Sequence, residues 1–184
     1  MSADNYFIKD QNSVYYLTFT IVDWVDVFTC KEYKMVIADS LNFCIENKGL
    51  EVFAWCLMSN HLHLVCRAIE DSQISDIIRD FKKFTAKTIL DKIKTEPESR
   101  RDWMLYRFEF AGKFDSRISK YRFWQDTNHA IQLDNNLMID QRINYTHDNP
   151  VRAMIVGKQE DYLYSSARDY SGEKGLVKVQ IVSQ

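Results

Sequence analysis

The sequence has no apolar run long enough to cross a bilayer. Its longest, Val52–Met58, is seven residues, against the roughly 18 or more that a spanning helix needs. It also lacks an excess of charge: 24 Lys and Arg stand against 26 Asp and Glu, a net charge of −2. That excludes a protein holding nucleic acid by bulk charge alone. The opening residues, MSADNYFIKDQNSVYY, contain no basic stretch followed by an apolar one, so no export signal and a cytoplasmic location are expected. Cys30, Cys44, Cys56 and Cys66 form no CxxC pair. This removes the zinc ribbon and the dithiol redox motif and predicts reduced, mostly buried thiols. There is no internal repeat and no low-complexity tract.

What is present fits one domain over residues 1–184, since 46% apolar content supplies an ordinary core and too little for several. Charge is spread unevenly. Ile74–Arg122 holds 13 of the basic and 8 of the acidic residues, a local net charge of +5, and is the candidate anion-facing segment.

Val14–Val22 is β-branched and aromatic and reads as a central strand. Lys31–Asn47 repeats its apolar residues at steps of three and four before Gly49, which predicts an amphipathic helix. Leu50–Met58 and His61–Ala68 are apolar stretches split by Ser59-Asn60, the chemistry of a hairpin turn. Ile74 to Ile89 keeps helical spacing behind Asp71-Ser72 as cap and would carry Lys82, Lys83 and Lys87 outward. Residues from about 91 to 120 lose periodicity, include Pro97, and read as a charged excursion from the core. A short strand at His129–Leu133 and a helix over Asn135–Asp148, which Pro150 would end or closely follow, complete the order βαββαβα. That order predicts an α+β fold: a ferredoxin-like or RRM-like antiparallel sheet with helices packed on one face.

The strongest chemical signal is His61-Leu62-His63. Residues two apart on a strand project from one face, so both imidazoles can reach one ion while Leu62 and Leu64 enter the core. Such a pair needs a third ligand. Downstream, Tyr145 and Asn149 stand four apart on the third helix and share a face; read alone, they are a packing residue and a helix terminator.

MSNHLHLV at Met58–Val65, FWQ at Phe123–Gln125, NYTHDNPVRA at Asn144–Ala153 and DYLYSSARDY at Asp161–Tyr170 fall in the order seen in REP-associated tyrosine transposases. Through them the chain resembles the wider single-tyrosine HUH transposases, in which U is a bulky apolar residue. The resemblance covers about Val14–Tyr170. It implies an HUH motif on a central strand, His61 and His63 as metal ligands, Tyr145 as nucleophile and Asn149 as third ligand. It also implies a metal-dependent single-stranded DNA endonuclease and strand transferase that acts at hairpins through a covalent 5′-phosphotyrosine. Two positions depart from the family pattern. Ser59 stands where proline is usual, and Asp148, before the Asn-Pro pair, is an acid close to the implied ion, which leaves open whether Asp148 or Asn149 completes the coordination.

The residue types suit this chemistry. A protonated tyrosine is a weak nucleophile and needs an activated phosphate. Two imidazoles and an amide oxygen on a divalent ion, Mg²⁺ or Mn²⁺, leave coordination positions for phosphate oxygens. A phosphotyrosine keeps the bond's energy, so a free 3′-hydroxyl can reverse the step. The expected partner is single-stranded or hairpin DNA, with the protein a monomer or a homodimer and no membrane involved. Arg79, Lys82, Lys83, Lys87 and Arg152 are candidate phosphate contacts. His129 and His147 read as polar surface residues or further ligands, and Trp124 and Gln125 as anchors of the core or a loop. Two other functions compete: a metal-dependent hydrolase that uses water, with Tyr145 structural, and a domesticated, non-catalytic hairpin-binding protein.

Overall fold

The computed structural model describes residues 7–69 and 71–182; residues 1–6, on which part of the leader expectation falls, lie outside them. Three apolar segments form strands β1 (Tyr15–Thr20), β2 (Leu50–Leu57) and β3 (His61–Ala68), and a two-residue strand, β4 (Ile131–Gln132), completes an antiparallel sheet ordered β2-β3-β1-β4. This is the ferredoxin-like order, and β3, with the histidine pair, is central in it. Among the described residues the helices are α1 (Lys31–Asn47), α2 (Ile74–Thr95), α3 (Arg101–Gly112), α4 (Asn136–Arg152) and the single turn α5 (Ala167–Tyr170), with short 3-10 turns at Val22–Trp24 and Gln159–Asp161.

Period-two alternation sorts the sheet's side chains. Tyr15, Leu17 and Phe19 of β1 and Leu62, Leu64 and Cys66 of β3 bury themselves in one cluster with α1, α2 and α3. Tyr16 of β1 and Val65 of β3 face the other way, with Phe53, Ala54 and, from α4, Ile143. The register shift between Val52 and Ala54 on β2 lets Phe53 and Ala54 join that second cluster. The expectation of helices on one face therefore holds for α1–α3, while α4 covers the opposite face, which these apolar side chains make too hydrophobic to leave bare.

Three local expectations are corrected. The charged excursion is largely helical: α2 runs on to Thr95, and α3 drives Met104 and Phe108 into the core. With aromatics all round α3, no apolar stripe betrays it. The cap of α2 is Gln73, without a side-chain bond, and not Asp71-Ser72. Pro150 lies inside α4, in its last turn, and does not end it. Asn135 is the N-cap there, its Oδ1 accepting from Met138 N at 2.9 Å. Gly49, at φ 71°, stops α1 where a Cβ would strike Ser72 and Ile69. Among the described residues the cysteines are free, with Cys44, Cys56 and Cys66 buried. No helix of the described residues is long and apolar enough to cross a membrane.

Candidate active site

His61 and His63 project from the α4 face of β3 because Leu62 and Leu64 take the other face. Their Nε2 atoms lie 3.1 Å apart. Two nitrogens bound at right angles to one ion at ~2.1 Å stand ~3.0 Å apart, so the pair has the spacing of a common ligand set.

The surrounding bonds fix which nitrogens carry protons. Asn60 Nδ2 donates to the Asp26 carboxylate at 2.9 Å, which turns Asn60 Oδ1 toward His61 Nδ1, 2.7 Å away. His61 therefore donates through Nδ1 and presents the lone pair of Nε2. On His63 the outer nitrogen, Nδ1, meets the Tyr16 hydroxyl at 2.7 Å and that of Thr18 at 3.2 Å. A hydroxyl can donate or accept. Without an ion, Tyr16 donates and His63 Nε2–H points to His61; with one, the same hydroxyls accept from Nδ1–H and free the second Nε2.

Burial holds His63 far below the ordinary histidine value, at about 3, and the neighbouring His61 adds to the effect. Burial lowers His61 as well, against the pull of Asp26. Burial pushes Tyr16 up to about 12. At neutral pH the site thus holds two neutral imidazoles and an intact hydroxyl, the protonation states that metal ligation requires.

Helix α4 brings Tyr145 to this pair. Its ring lies 6.0 Å from that of His63 and 6.1 Å from that of Tyr16, edge-on to both. Tyr145 stays 38% exposed, open to a substrate. The guanidinium of Arg152 lies 5.4 Å from the Tyr145 ring centre, and that of Arg142 is 5.9 Å from Tyr145 and 5.0 Å from Tyr16. One turn beyond Tyr145, Asn149 donates its Nδ2 to the Tyr145 carbonyl at 2.8 Å, which leaves its oxygen as the remaining acceptor. Asp148 takes a 3.4 Å bond from Gln159 instead. Among the described residues no third His, Cys, Asp or Glu joins the histidines.

Other residues singled out in the sequence lie elsewhere. Lys82 turns inward, not outward: it donates to Gln125 O at 2.7 Å and Asn128 Oδ1 at 2.8 Å, and burial lowers its pKa to about 8. Arg79 is engaged by Asp76 and Asp80. Lys83 and Lys87 are exposed beside an apolar cavity between α1 and α2, on the face away from the histidines. His147 is a buried residue and not a surface one, 3% exposed, with Nε2 2.8 Å from Ser166 Oγ, which itself accepts from Trp55 N. It ties α4 to β2. His129 is exposed, at φ 41°. Trp124 is a core anchor, its Nε1 on Thr85 Oγ1 at 3.1 Å, and Gln125 bonds the C-terminal end of β1 at Thr20 O and Ile21 O.

Sequence reasoning passed over Tyr16, Thr18, Asn60 and Arg142. Two signals could have found them. Thr18 is the register partner of His63, and Tyr16 is two residues along on the same face. Arg142, Tyr145, Asn149 and Arg152 follow one another at steps of three, four and three, a single helix face.

A ferredoxin-like sheet carrying a histidine pair on its central strand and a tyrosine on the covering helix defines the class. A family model described as IS200-like transposase matches residues 11–149, and the chain belongs to that family. Among solved structures it is similar over its whole length to a REP-associated tyrosine transposase bound to a REP hairpin, with a TM-score of 0.65, 14% identity and 94% of that chain covered. A candidate transposase from Deinococcus radiodurans matches with a TM-score of 0.45 and 16% identity, over 79% of this chain and 98% of that one. No curated protein matches the sequence significantly.

Proposed function

We propose that this transposase-family chain is a metal-dependent single-stranded DNA strand transferase that works at the edges of hairpins through a phosphotyrosine on Tyr145. The observation that carries this reading is the approach of the Tyr145 ring to within 6.0 Å of His63, whose Nε2 converges with that of His61, all within one chain. The hairpin seen on the similar solved structure supports the choice of substrate.

His61, His63 and the Asn149 oxygen are the proposed ligands of Mg²⁺ or Mn²⁺. Such an ion polarises the scissile phosphate and offsets the charge that grows on its oxygens. Tyr145 Oη attacks phosphorus, an O–P bond forms, the P–O3′ bond breaks, and the 3′-oxygen leaves as a hydroxyl, taking up by way of water the proton that the phenol gives up. Return attack by a 3′-hydroxyl regenerates tyrosine and joins the strand, with no nucleotide cofactor needed. Arg152 and Arg142, beside the ring, are placed to take phosphate oxygens, and planar guanidinium suits that role. Asn60, Tyr16 and Thr18 hold the two imidazoles in orientation.

The test is incubation with single-stranded DNA carrying palindromes from beside the chain's own gene, with Mn²⁺, followed by denaturing electrophoresis and peptide mapping. A DNA adduct on the Tyr145 peptide is expected. Tyr145→Phe should abolish it, a loss of at least ~1,000-fold, or about 4 kcal/mol in the barrier, with the melting temperature nearly unchanged. An adduct on another peptide, or one formed by the Phe variant, overturns the mechanism.

A further inference from the structure

The loop between β1 and α1 contains a backbone conformation that its residues do not favour. Asp23 and Trp24 both sit at φ 54°, a left-handed region that glycine enters freely and a bulky aromatic residue enters only under strain. Three ties hold the turn there. The Asp23 carboxylate is paired with Arg107 of α3 at 2.9 Å. Trp24 N donates to Ile21 O at 3.1 Å. Asn60 Nδ2 reaches the Trp24 carbonyl at 3.3 Å, and this is the side chain whose oxygen orients His61.

The strain does not serve to bury the ring, because Trp24 is 60% exposed. Its ring stands edge-on to His61, with centroids 6.2 Å apart. Two arginines also grip this loop: Arg107, through Asp23, and Arg100, which donates to Asp26 O at 2.7 Å and Thr29 Oγ1 at 3.0 Å. They belong to the segment whose local charge is positive. An exposed indole beside the imidazole of His61 offers a stacking surface at the site, as single-stranded nucleic acid requires.

We propose that Trp24 is a base-stacking platform that holds an unpaired nucleobase next to the scissile phosphate, fixing which phosphate Tyr145 meets. This deepens the strand-transferase reading and rests on it. The platform places the strand without touching the reacting atoms. α3, which reads from the sequence as an excursion, acts as the brace that keeps the platform up.

The test uses the Tyr145→Phe chain, so that the DNA stays uncleaved, and a hairpin with unpaired flanks in which abasic sites replace each flanking base in turn. Binding is read by fluorescence anisotropy. Adding Trp24→Ala should weaken binding about 5- to 100-fold, the range of one lost base stack, and Trp24→Tyr should restore most of it. At one flank position, the abasic substitution should weaken the Trp24 chain by a similar factor and leave the Trp24→Ala chain unaffected, the signature of a shared contact. Phe43→Ala, which removes another exposed aromatic on α1, should change nothing. Trp24→Gly should bind as weakly as the alanine variant yet melt at or above the parent's temperature, since glycine accepts this φ. Equal binding by Trp24→Ala, no abasic position at which the loss is shared, or a marked fall in melting temperature for Trp24→Gly each overturns the proposal. Its failure is distinct from failure of the parent reading. Adduct formation by the Tyr145 chain that Trp24→Ala leaves undiminished sinks the platform alone, and absence of any adduct sinks the strand-transferase reading.

Discussion

The two faces of the sheet are built from the same strands and do opposite work. On the α1–α3 face, Leu17, Phe19, Leu62, Leu64 and Cys66 pack into the larger core, and the buried ionisable groups there include the thiols of Cys44 and Cys66, both pushed up by burial. On the α4 face, the neighbours of those same residues are Tyr16, Thr18, His61 and His63, joined by hydrogen bonds and met by Tyr145. One face spends its side chains on packing. The other packs Phe53 and Val65 with Ile143 of α4 and adds a polar network, because each buried imidazole there needs a partner. Under the proposed function, the main core and the chemistry are separated by one residue of register.

The sharpest way to break this comparison is to mutate adjacent residues on β3. His63→Ala should reduce adduct formation by at least ~1,000-fold, about 4 kcal/mol, while the sheet's other face keeps the chain folded. Leu64→Ala, one residue along and 3% exposed, should lower unfolding free energy by roughly 2–5 kcal/mol and leave the rate per folded molecule near its original value. Urea denaturation and single-turnover adduct assays on both variants read the two axes. Loss of stability from His63→Ala equal to that from Leu64→Ala would show that the faces are not separated.

A smaller effect sharpens the contrast through pH. His147 on α4 is held near about 4 by burial, and His63 near about 3, whereas an unfolded histidine takes up its proton near ~6.5. Below that value the unfolded chain binds protons that the folded chain refuses. The stability these groups contribute is complete above pH 6.5 and falls as pH drops toward 4, by roughly 2 kcal/mol per imidazole at pH 5. The acid sensitivity of the imidazoles should therefore reside on the α4 face. His147→Gln, which can still bond Ser166, should show a shallower stability loss between pH 7 and pH 5, by close to one proton in the slope. An unchanged slope would mean that His147 is protonated in the folded state.

How legible all this was in the sequence depends on whether a feature is local. The bounds of α1 and β3 follow from periodicity and a terminating glycine, and the shared face of His61 and His63 from strand alternation, so both could be read directly. Pro150 misled because a proline in the last turn of a helix removes one bond that the surrounding packing of α4 can do without. α3 was hidden because its fully buried side chains, Met104 and Phe108, are interleaved with Trp103, Tyr106 and Phe110, which remain exposed. Lys82 misled for a different reason: its charge predicts an outward direction, but the carbonyl of Gln125 and the amide of Asn128, some forty residues on, offer it an inward berth. The bonds from Asn60 to Asp26 and from Tyr16 to His63 join segments distant in sequence, and only the folded chain brings them together.

The smallest expected effect concerns the lysines of α2, which separate the two faces as DNA contacts. Lys83 and Lys87 border the cavity of about 700 Å³ between α1 and α2, with Phe43 and Phe84, while Arg152 stands over Tyr145. Each phosphate neutralised on a single strand adds about −0.7 to the slope of log binding constant against log salt concentration. If DNA runs across the α4 face, Arg152→Ala should flatten that slope by about one contact. Lys83→Ala with Lys87→Ala should leave it unchanged and alter affinity for a single strand less than twofold. The two lysines are solvated already, and the sheet lies between them and the histidines, so salt screens what their charge contributes on the α4 face. A salt titration of the double variant that loses slope equal to that of Arg152→Ala would place DNA on both faces at once, and the assignment of chemistry to one face and packing to the other would then describe only the cleavage step.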